Sequence, residues 1–585
     1  MAGKTAEIQG VLSRDRLAAE IGNMWDMFNL QRRGWKEEKK ELRNYIFATD
    51  TRTTTNRSLP WKNSTTLPKI CQIRDNLHAN YHSALFPNEE WAKWLAEDEE
   101  GASAEKRTAV TAYISNKVRE SGFQETISDL LLDYIDYGNA FAEVVWKEKT
   151  FENEDGDLET TYIGPALERI SPLDIVFNPT APSFAESPKI RRYIRTLGEV
   201  ILDAQEQTDK PELQEAVTYL TNVRDTIGQF KVADVDKAAG FSVDGFGSLQ
   251  EYYQSGYVEF LEFEGTIYNP HTKKMMINRR ITVVDRAFIV GDEKMPSWFG
   301  DSYKLHVGWR KRPDNVYAMG PLDNLVGLQY RLDHLENAKA DAMDLAIHPP
   351  LKVQGNVEEF TWGPGEIINC GDDGNVDEIA KNLNAAITAQ QEIGLIEQRM
   401  EELAGAPRQA MGIRTPGEKT AFEVQTLENA AWRIFQEKIN TFERSLVEPA
   451  LNMYLEMSRR HMDTSDIVSI IDDEFGVQQF LTVTKEDITS KGKLRAIGSR
   501  HFAARAQLIQ NLTGVMNSPV GMKINNHVSS VGLANLVEEL FGLERRNIVR
   551  KNIAVEEEFE TQRLISELQG QLAEQEATPG VEGFE

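Results

Sequence analysis

Apolar positions with a helical period mark the centre of the chain. In the segment 320–348 they recur every three or four residues, which predicts a helix with one buried face. Pro321 is tolerated in a first turn and the prolines at 349–350 prevent continuation, so the helix should end near Ile347 or His348. The positions on the predicted buried face are Leu322, Leu325, Gln329, Leu332, Leu335 and Ala342.

A short excursion rich in glycine and proline separates this helix from a second one. Two β-like runs, Leu351 to Val353 and Glu366 to Ile368, predict a small strand-containing structure there. The second helix is predicted from about Ala385 to Leu403. Its apolar positions are Ile387, Ile393, Ile396, Met400 and Leu403.

A loop of low helix propensity follows and leads into a much longer helix. The loop GAPRQAMGIRTPGEKT contains three glycines, two prolines and the cations Arg408, Arg414 and Lys419. From Ala421 an amphipathic stripe continues for roughly ten turns. Pro449 predicts a kink in this long helix.

Outside this central region, helical and strand patterns alternate in blocks. Helices are predicted through most of 1–150, although strands begin at Asn139 and continue to about Phe177. Residues 186–245 look helical again, and 251–309 look strand-like. A short mixed segment from 464 to about 500 precedes further helices. The pattern is typical of an α+β protein that is mainly helical.

The composition is that of an ordinary folded protein, with 41% hydrophobic and 27% charged residues among 585. This length suggests about four domains. No apolar run approaches the ~20 residues of a membrane span, and the start lacks the hydrophobic region of a signal peptide, so we expect a cytoplasmic folding site and no membrane. Cys71 and Cys370 are too few for a disulfide framework or a four-thiolate zinc site.

The net charge of -27 argues against a protein that grips nucleic acid tightly. Such proteins neutralise phosphates with clusters of lysine and arginine. A wall that repels phosphates instead suits a channel through which DNA must slide without being trapped. The acidic composition therefore argues against tight DNA binding and is compatible with a channel through which DNA slides.

Several local motifs occur in order along residues 1–460. They are LPWKN, ALFPNEEW, YGNAFAEVVW, RISPLDIVFNPTAP, GPLDNLVGLQYRLDHLENAKADAMDLAIHPPLKV and GEKTAFEV. Together they resemble the portal proteins, or head-to-tail connectors, of tailed bacteriophages, particularly short-tailed ones. The last 120 or so residues carry little of this resemblance.

The resemblance implies a portal fold with wing, stem, clip and crown regions. The expected regions are the wing (1–319), stem helix 1 (320–348), the clip (349–384), stem helix 2 (385–404), the tunnel loop (405–420), the long wing helix and wing return (421–500), the crown (501–575) and a disordered tail (576–585).

The family assembles as a ring, usually of twelve subunits, at a unique capsid vertex of the virion. Double-stranded DNA is packaged through the ring and later ejected. The implied partners are further copies of the chain, DNA, the terminase large subunit, a tail adaptor, and the major capsid and scaffolding proteins, with no cofactor. In this family a tunnel loop protrudes into the channel, which gives Arg408, Arg414 and Lys419 a role in touching DNA. The expected partner contacts of the clip are Glu358, Glu359, Trp362, Asp372 and Asp373.

Plainer interpretations stand beside these roles. The three cations of the loop are equally explained by pairing with nearby carboxylates, and Trp362 by packing within the clip. The run Glu556 to Glu558 is explained by a solvated helix face or by repulsion of packaged DNA. The aromatic residues at helical spacing, expected to lie in the core rather than to stack on bases, are Trp432, Phe435 and Phe442. The carboxylates near the basic loop are Glu401, Glu402, Glu418 and Glu423.

Two incomplete motifs give weak support to an enzyme. GIRTPGEKT resembles a phosphate-binding loop, but Glu418 is inserted before Lys419 and no strand precedes it. His78 and His82 have the spacing of a helical metal pair, but a third ligand and a catalytic glutamate are missing. We therefore expect no enzyme. The alternatives to a portal ring are a cytoplasmic helical scaffold without a DNA role and, less favoured, an NTPase or metallohydrolase.

Overall fold

The structure is a computed structural model that combines helices with antiparallel sheets, which confirms the α+β class. The predicted crown, 501–575, and tail, 576–585, lie outside the described residues. The described residues are 16–47, 63, 65–87, 91–96, 104–152, 158–207, 210–227, 256–269, 272–295, 297, 301–347, 351–359, 368–378, 384–405, 434–462, 465–472, 477–488 and 492–496.

Helices dominate the N-terminal part, as the hydrophobic pattern predicted. In the first of them Ile21, Trp25 and Phe28 are buried. The fifth helix ends at Asp136, and the φ of 71° at Gly138 and its tight approach to the backbone of Gly320 exclude any side chain there. The elements are α1 (Arg16–Gln31), α2 (Arg33–Phe47), α3 (Lys69–Leu85), β1 (Ala92–Ala96), α4 (Ala104–Glu120) and α5 (Phe123–Asp136).

Two antiparallel sheets follow. A three-stranded sheet has the order β3-β2-β9, and a five-stranded sheet has the order β4-β5-β6-β7-β8. Helices α6 and α7 cover one face of the larger sheet, and α1 covers the other. The elements are β2 (Asn139–Glu152), β3 (Leu158–Ile170), β4 (Ile175–Phe177), β5 (Lys189–Thr196), α6 (Leu197–Glu206), α7 (Pro211–Ile227), β6 (Tyr257–Asn269), β7 (Lys274–Val284), β8 (Phe288–Lys294) and β9 (Lys304–Gly308).

The prediction of helix throughout 186–245 was wrong for β5. This segment hydrogen-bonds β4 along one edge and β6 along the other, so pairing on both sides fixes it as a strand. Its β-branched residues Ile190 and Ile194 suit a strand, and Ile190 is fully buried. Helix begins only at α6, where Thr196 and Glu199 form a reciprocal capping box.

The central helices lie close to their predicted bounds. A 3-10 turn, Asp323–Leu325, leads into the first, which ends at Ile347 as predicted. The excursion between them is a two-stranded hairpin, but its second strand is not the predicted run at 366–368, of which the one described residue, Ile368, lies outside any strand. The elements are β10 (Arg310–Arg312), β11 (Asn315–Met319), α8 (Val326–Ile347), β12 (Leu351–Gln354), β13 (Asn375–Glu378) and α9 (Asn384–Ala404).

The last long helix, α10, runs through the main core. It comprises helical residues 434–442, a π-helical turn at Glu443–Val447 and the α-helix Glu448–His461. The π turn ends two residues before Pro449. The irregularity in this helix therefore lies on the N-terminal side of the proline that predicted a kink. Phe435 and Phe442 are buried as predicted, whereas Trp432 lies outside the described residues.

A small sheet ties the two ends of the described chain together. After α10 come β14 (Ser465–Asp472), β15 (Val477–Thr484), α11 (Lys485–Ile488) and β16 (Gly492–Ala496). Strand β16 pairs with β1, so residues almost four hundred positions apart share one sheet. The main core accordingly joins α3, α4 and α5 to the bases of α8 and α9 and to α10.

Candidate functional site

The base of the α8–α9 pair is fixed in the main core. Leu332 of α8 and Met400 of α9 are fully buried there. A buried salt bridge of 2.6 Å between Lys69 of α3 and Glu401 of α9 adds a charged anchor. Farther along the pair, Lys339 Nζ donates to Gln390 Oε1 at 2.8 Å in a solvent-exposed contact. The two helices are therefore held firmly at the base and only by surface contacts beyond it.

Residues 63 and 65–67 lie along α8 and are held by side chains of that helix; we call them the strap. The backbone N–H of Leu67 donates to Asp333 Oδ1 at 3.0 Å, and Gln329 Nε2 donates to the Leu67 carbonyl at 2.7 Å. Asn337 exchanges two hydrogen bonds with the backbone of Thr65. The strap therefore covers a polar stripe of α8 and supplies backbone hydrogen-bond partners to its buried side chains.

The hydrogen bonds between the strap and α8 form a ladder, and the spacing of its steps has a simple geometric basis. Two residues of extended chain rise about 6.6 Å, and four residues of helix rise about 6.0 Å. Every second strap residue thus meets every fourth helical residue, and the series ends where Asn63 donates to Asp341 Oδ1. Sequence analysis missed the ladder and assigned Gln329 to the apolar face. The available signal was the polar repeat Gln329, Asp333, Asn337 and Asp341.

Burial of Asp333 makes the strap contact depend on pH. Its Oδ2 has no hydrogen-bond partner among the described residues. Burial raises the pKa of Asp333 to about 6, although the hydrogen bonds from Leu67 and Gln329 oppose the rise. Since the pKa is higher in the folded state than in the unfolded state, protonation favours folding. This contribution is present below the usual pKa near 3.8 and is lost as pH rises through about 6.

Asp333→Asn should remove this component, because the amide oxygen keeps both hydrogen bonds without the buried charge. Relative to the unmodified protein, the variant should gain about 1–2 kcal/mol in free energy of unfolding between pH 4.5 and 7.5. Urea unfolding across that range measures the difference. Asp341→Asn, at the more exposed end of the ladder, is the matched control and should show a smaller change. A pH-independent difference for Asp333→Asn would contradict the assignment.

The outer half of the α8–α9 pair presents apolar side chains to solvent. Met343 is 48% exposed, Ile347 65% and Ile387 60%. Of the five apolar positions that the sequence predicted for α9, Ile393, Ile396 and Met400 reach the core, whereas Ile387 and Leu403 are exposed. Ile387 is exposed because the body ends below it. A second surface is needed to cover this half of the pair.

The tip of the pair is the acidic β12–β13 hairpin. Glu358, Glu359, Asp372 and Asp373 are all exposed, in agreement with a surface role, whereas Trp362 lies outside the described residues. Gly355, with φ of 76°, approaches the Asp373 carbonyl so closely that no Cβ fits. The described part of the tip therefore carries four exposed carboxylates beside a two-stranded stalk.

The cations predicted to touch DNA, Arg408, Arg414 and Lys419, lie outside the described residues, as does the GIRTPGEKT motif. The segment that carries them nevertheless has neighbouring ends. Gly405 ends α9 with φ of 73°, and a Cβ there would lie 3.9 Å from Ile434 at the start of α10. Gly405 and Ile434, which flank the segment 406–433, are thus close together.

One proposed partner of these cations is already engaged. Glu401 accepts the buried hydrogen bond from Lys69, and Glu402 accepts one from Gln398 at 3.0 Å. The engagement of Glu401 weakens the interpretation that the basic loop is held against its own helix through this residue.

A buried cluster of charges joins the two sheets, and sequence analysis gave no sign of it. Lys304 Nζ of β9 contacts Glu262 and, at 2.7 Å, Glu264 of β6, and it lies 3.3 Å from Glu143 of β2. Arg280 of β7 also bridges Glu143 and Glu264. Burial by itself would raise the pKa of Glu264, but Lys304 and Arg280 hold it well below its usual range. Glu264 therefore keeps its charge at neutral pH.

The cluster also accounts for the candidate metal ligands in the described part of the chain. Oxygens of Glu143, Glu262 and Glu264 lie within 4.8 Å of one another. The Lys304 ammonium lies among them, and it supplies the positive charge that a metal ion would bring. We assign the cluster a structural role.

The histidines with the spacing of a helical metal pair, His78 and His82, are part of a helix contact. His78 Nε2 lies 2.9 Å from the Ser128 hydroxyl of α5, and the rings of His78 and His82 are 6.2 Å apart. Burial, and then His78, lower the pKa of His82, which favours its neutral form. The contact supports the packing of α3 on α5.

None of the helices in the described ranges combines the length and apolar character that a membrane span requires. No protein-family model matches the sequence, and a search of curated proteins finds no match.

Proposed function

We propose that the chain is a portal protein of a tailed bacteriophage, of the short-tailed type, that forms a ring at a unique capsid vertex. The observation that carries the proposal is the α8–α9 pair. It is fixed at its base by buried contacts, exposes apolar side chains along its outer half and ends in an acidic hairpin. Such a pair matches the stem and clip of the portal family.

A ring accounts for the exposed apolar half. Two different faces of one subunit meet in a heterologous contact, and the contact closes when the rotation divides a full turn. Around such a ring, each stem covers its neighbour. The net charge of -27 then suits a channel wall past which double-stranded DNA slides. Arg408, Arg414 and Lys419 would supply a salt-sensitive basic collar.

The acidic tip is the proposed docking platform for the terminase large subunit and the tail adaptor. The body would face the major capsid and scaffolding proteins at the vertex. The runner-up, a helical scaffold without a DNA role, also needs apolar surface but not a closed channel. The incomplete phosphate-loop motif brings no structural observation in favour of an NTPase.

The purified full chain should form closed rings, twelvefold by family analogy, with an axial channel wide enough for a DNA duplex. Native mass spectrometry gives the subunit number, and negative-stain images show the channel. Monomers or dimers across protein concentrations and salt would contradict the proposal. Filaments, or small oligomers without a channel, would favour the scaffold.

Removing the tip should separate docking from assembly. Gln354 and Asn375 are directly paired across the hairpin, so an Asn-Gly turn in place of residues 355–374 leaves a sound two-residue hairpin. Rings should form as before, whereas terminase and adaptor binding should fall below detection in pull-down assays. The matched control keeps residues 355–374 and replaces the carboxylates of Glu358, Glu359, Asp372 and Asp373 with amides. This control should weaken binding only in part. Normal packaging and tail attachment by the deletion variant would refute the docking role.

A further inference from the structure

A two-stranded arm extends beyond the five-stranded sheet. It consists of residues 266–269 of β6 and 272–278, which include the start of β7. The pairing of β5 with β6 ends at Glu264, and the strand pairing of β8 with β7 ends at Arg279. The arm therefore continues for about 15 Å as a ribbon of two strands. Such a ribbon is marginally stable unless a surface packs against it.

One face of the arm has such a surface. Ile267 is buried with Leu17 and Ile21 of α1, and Met276, directly opposite Ile267, packs against the same cluster. The opposite face is bare. Tyr268 and Met275, which are also directly paired, are 46% and 58% exposed, and Ile277 is 69% exposed.

The bare face continues a sheet face that is covered elsewhere. Along β6 that face is covered first by α6 and α7 over Val258 and Phe260. Next, Glu262 and Glu264 contact β9 through the buried charge cluster. The covering ends at this point, and the apolar pattern continues into the arm. On this face the arm thus has apolar side chains like those of the covered part of β6, but no helix or strand packs on them among the described residues.

The charge of the arm differs from that of the chain. Its described residues include Lys273 and Lys274, both exposed, and no carboxylate, although the whole chain carries -27. Helices α6 and α7 offer the complementary chemistry. Leu202 is 58% exposed on α6, and Glu212 and Glu215 are exposed on α7. An apolar and basic surface and an apolar and acidic surface thus occur on one molecule.

We propose that the arm of one subunit docks on helices α6 and α7 of a second copy of this chain. The proposal rests on the ring described above and adds a second contact to it, away from the stem. Tyr268, Met275 and Ile277 would pack around Leu202, and the two lysines would face the carboxylates of α7. Two different patches of one chain make a heterologous contact, the kind that a ring requires.

Charge reversal and its compensation test the contact in the full chain. Lys273→Glu with Lys274→Glu should raise the protein concentration at which rings assemble by about tenfold, since like charges then face each other. Adding Glu212→Lys and Glu215→Lys to the same chain should restore assembly. Lys36→Glu with Lys40→Glu is the control for added negative charge and should have a smaller effect. Far-ultraviolet circular dichroism checks that each variant is folded.

Zero-length carbodiimide cross-linking gives an independent measurement on the unmodified protein. Peptides joining Lys273 or Lys274 to Glu212 or Glu215 should appear between subunits, as mixing of isotopically light and heavy chains reveals. Rings without such cross-links, or charge reversal without restoration, would overturn the arm contact and leave the ring intact. If the unmodified protein forms no ring, the proposed function fails first.

Discussion

Replacing Met343, Ile347 and Ile387 with aspartate should abolish ring assembly and leave a folded subunit. All three side chains lie on the outer half of the α8–α9 pair and are about half or more exposed in the single chain. In a ring they would be buried against a neighbour, where each unpaired carboxylate costs several kcal/mol. The effect recurs at every interface of a closed ring. Size-exclusion chromatography with light scattering should show a monomer.

Leu30, Leu95 and Ile163 provide the matched control for this triple variant. They are also exposed, at 69%, 46% and 46%, but lie away from the α8–α9 pair. Their replacement by aspartate adds the same charge and should leave the rings intact. Rings in the stem variant, or loss of rings in both variants, would remove the support that the exposed apolar half gives to assembly.

Lys304→Met should lower the free energy of unfolding by about 3–5 kcal/mol. The substitution removes the ammonium that contacts both Glu262 and Glu264, so that Arg280 is the cation that still contacts these two buried carboxylates. Chemical denaturation monitored by circular dichroism measures the loss. Adding Glu262→Gln to the Lys304→Met variant should recover part of this loss. The double variant no longer buries the Glu262 carboxylate without the lysine that paired with it.

Lys147→Met is the control for the loss of a lysine near the same sheets. Lys147 bridges Glu168 at 2.8 Å, but its side chain is 38% exposed. Its removal should cost less than about 1 kcal/mol. If both lysine variants lost a similar free energy of unfolding, burial of the Lys304 cluster would not be what determines its contribution to stability.

Local periodicity predicted the elements on which the proposed function depends. The apolar repeat and the prolines placed the end of α8 at Ile347, and the second helix was correct to within a residue or so at each end. The error at β5 has a different origin. Its apolar residues Ile190, Tyr193 and Ile194 have the spacing of a helical face, and pairing with β4 and β6 decided the outcome.

The contacts that fix the candidate site depend on long-range partners. Asp333 meets Leu67 across 266 positions, and Lys304 meets Glu143 across 161. No local pattern reports such pairs, because each partner in isolation looks like an ordinary surface residue. The exposure of Ile387 likewise depends on where the body ends.

The strap contributes mainly its backbone to the contact with α8, and this makes the two sides unequal under mutation. At Thr65 the hydrogen bonds involve only main-chain atoms, so many side chains are compatible with the same ladder. Proline is the exception, since it removes the N–H donor. On α8, by contrast, Asn337 must present both a donor and an acceptor. Natural sequence variation in this protein should therefore be greater in the strap than at the positions of α8 that bind it.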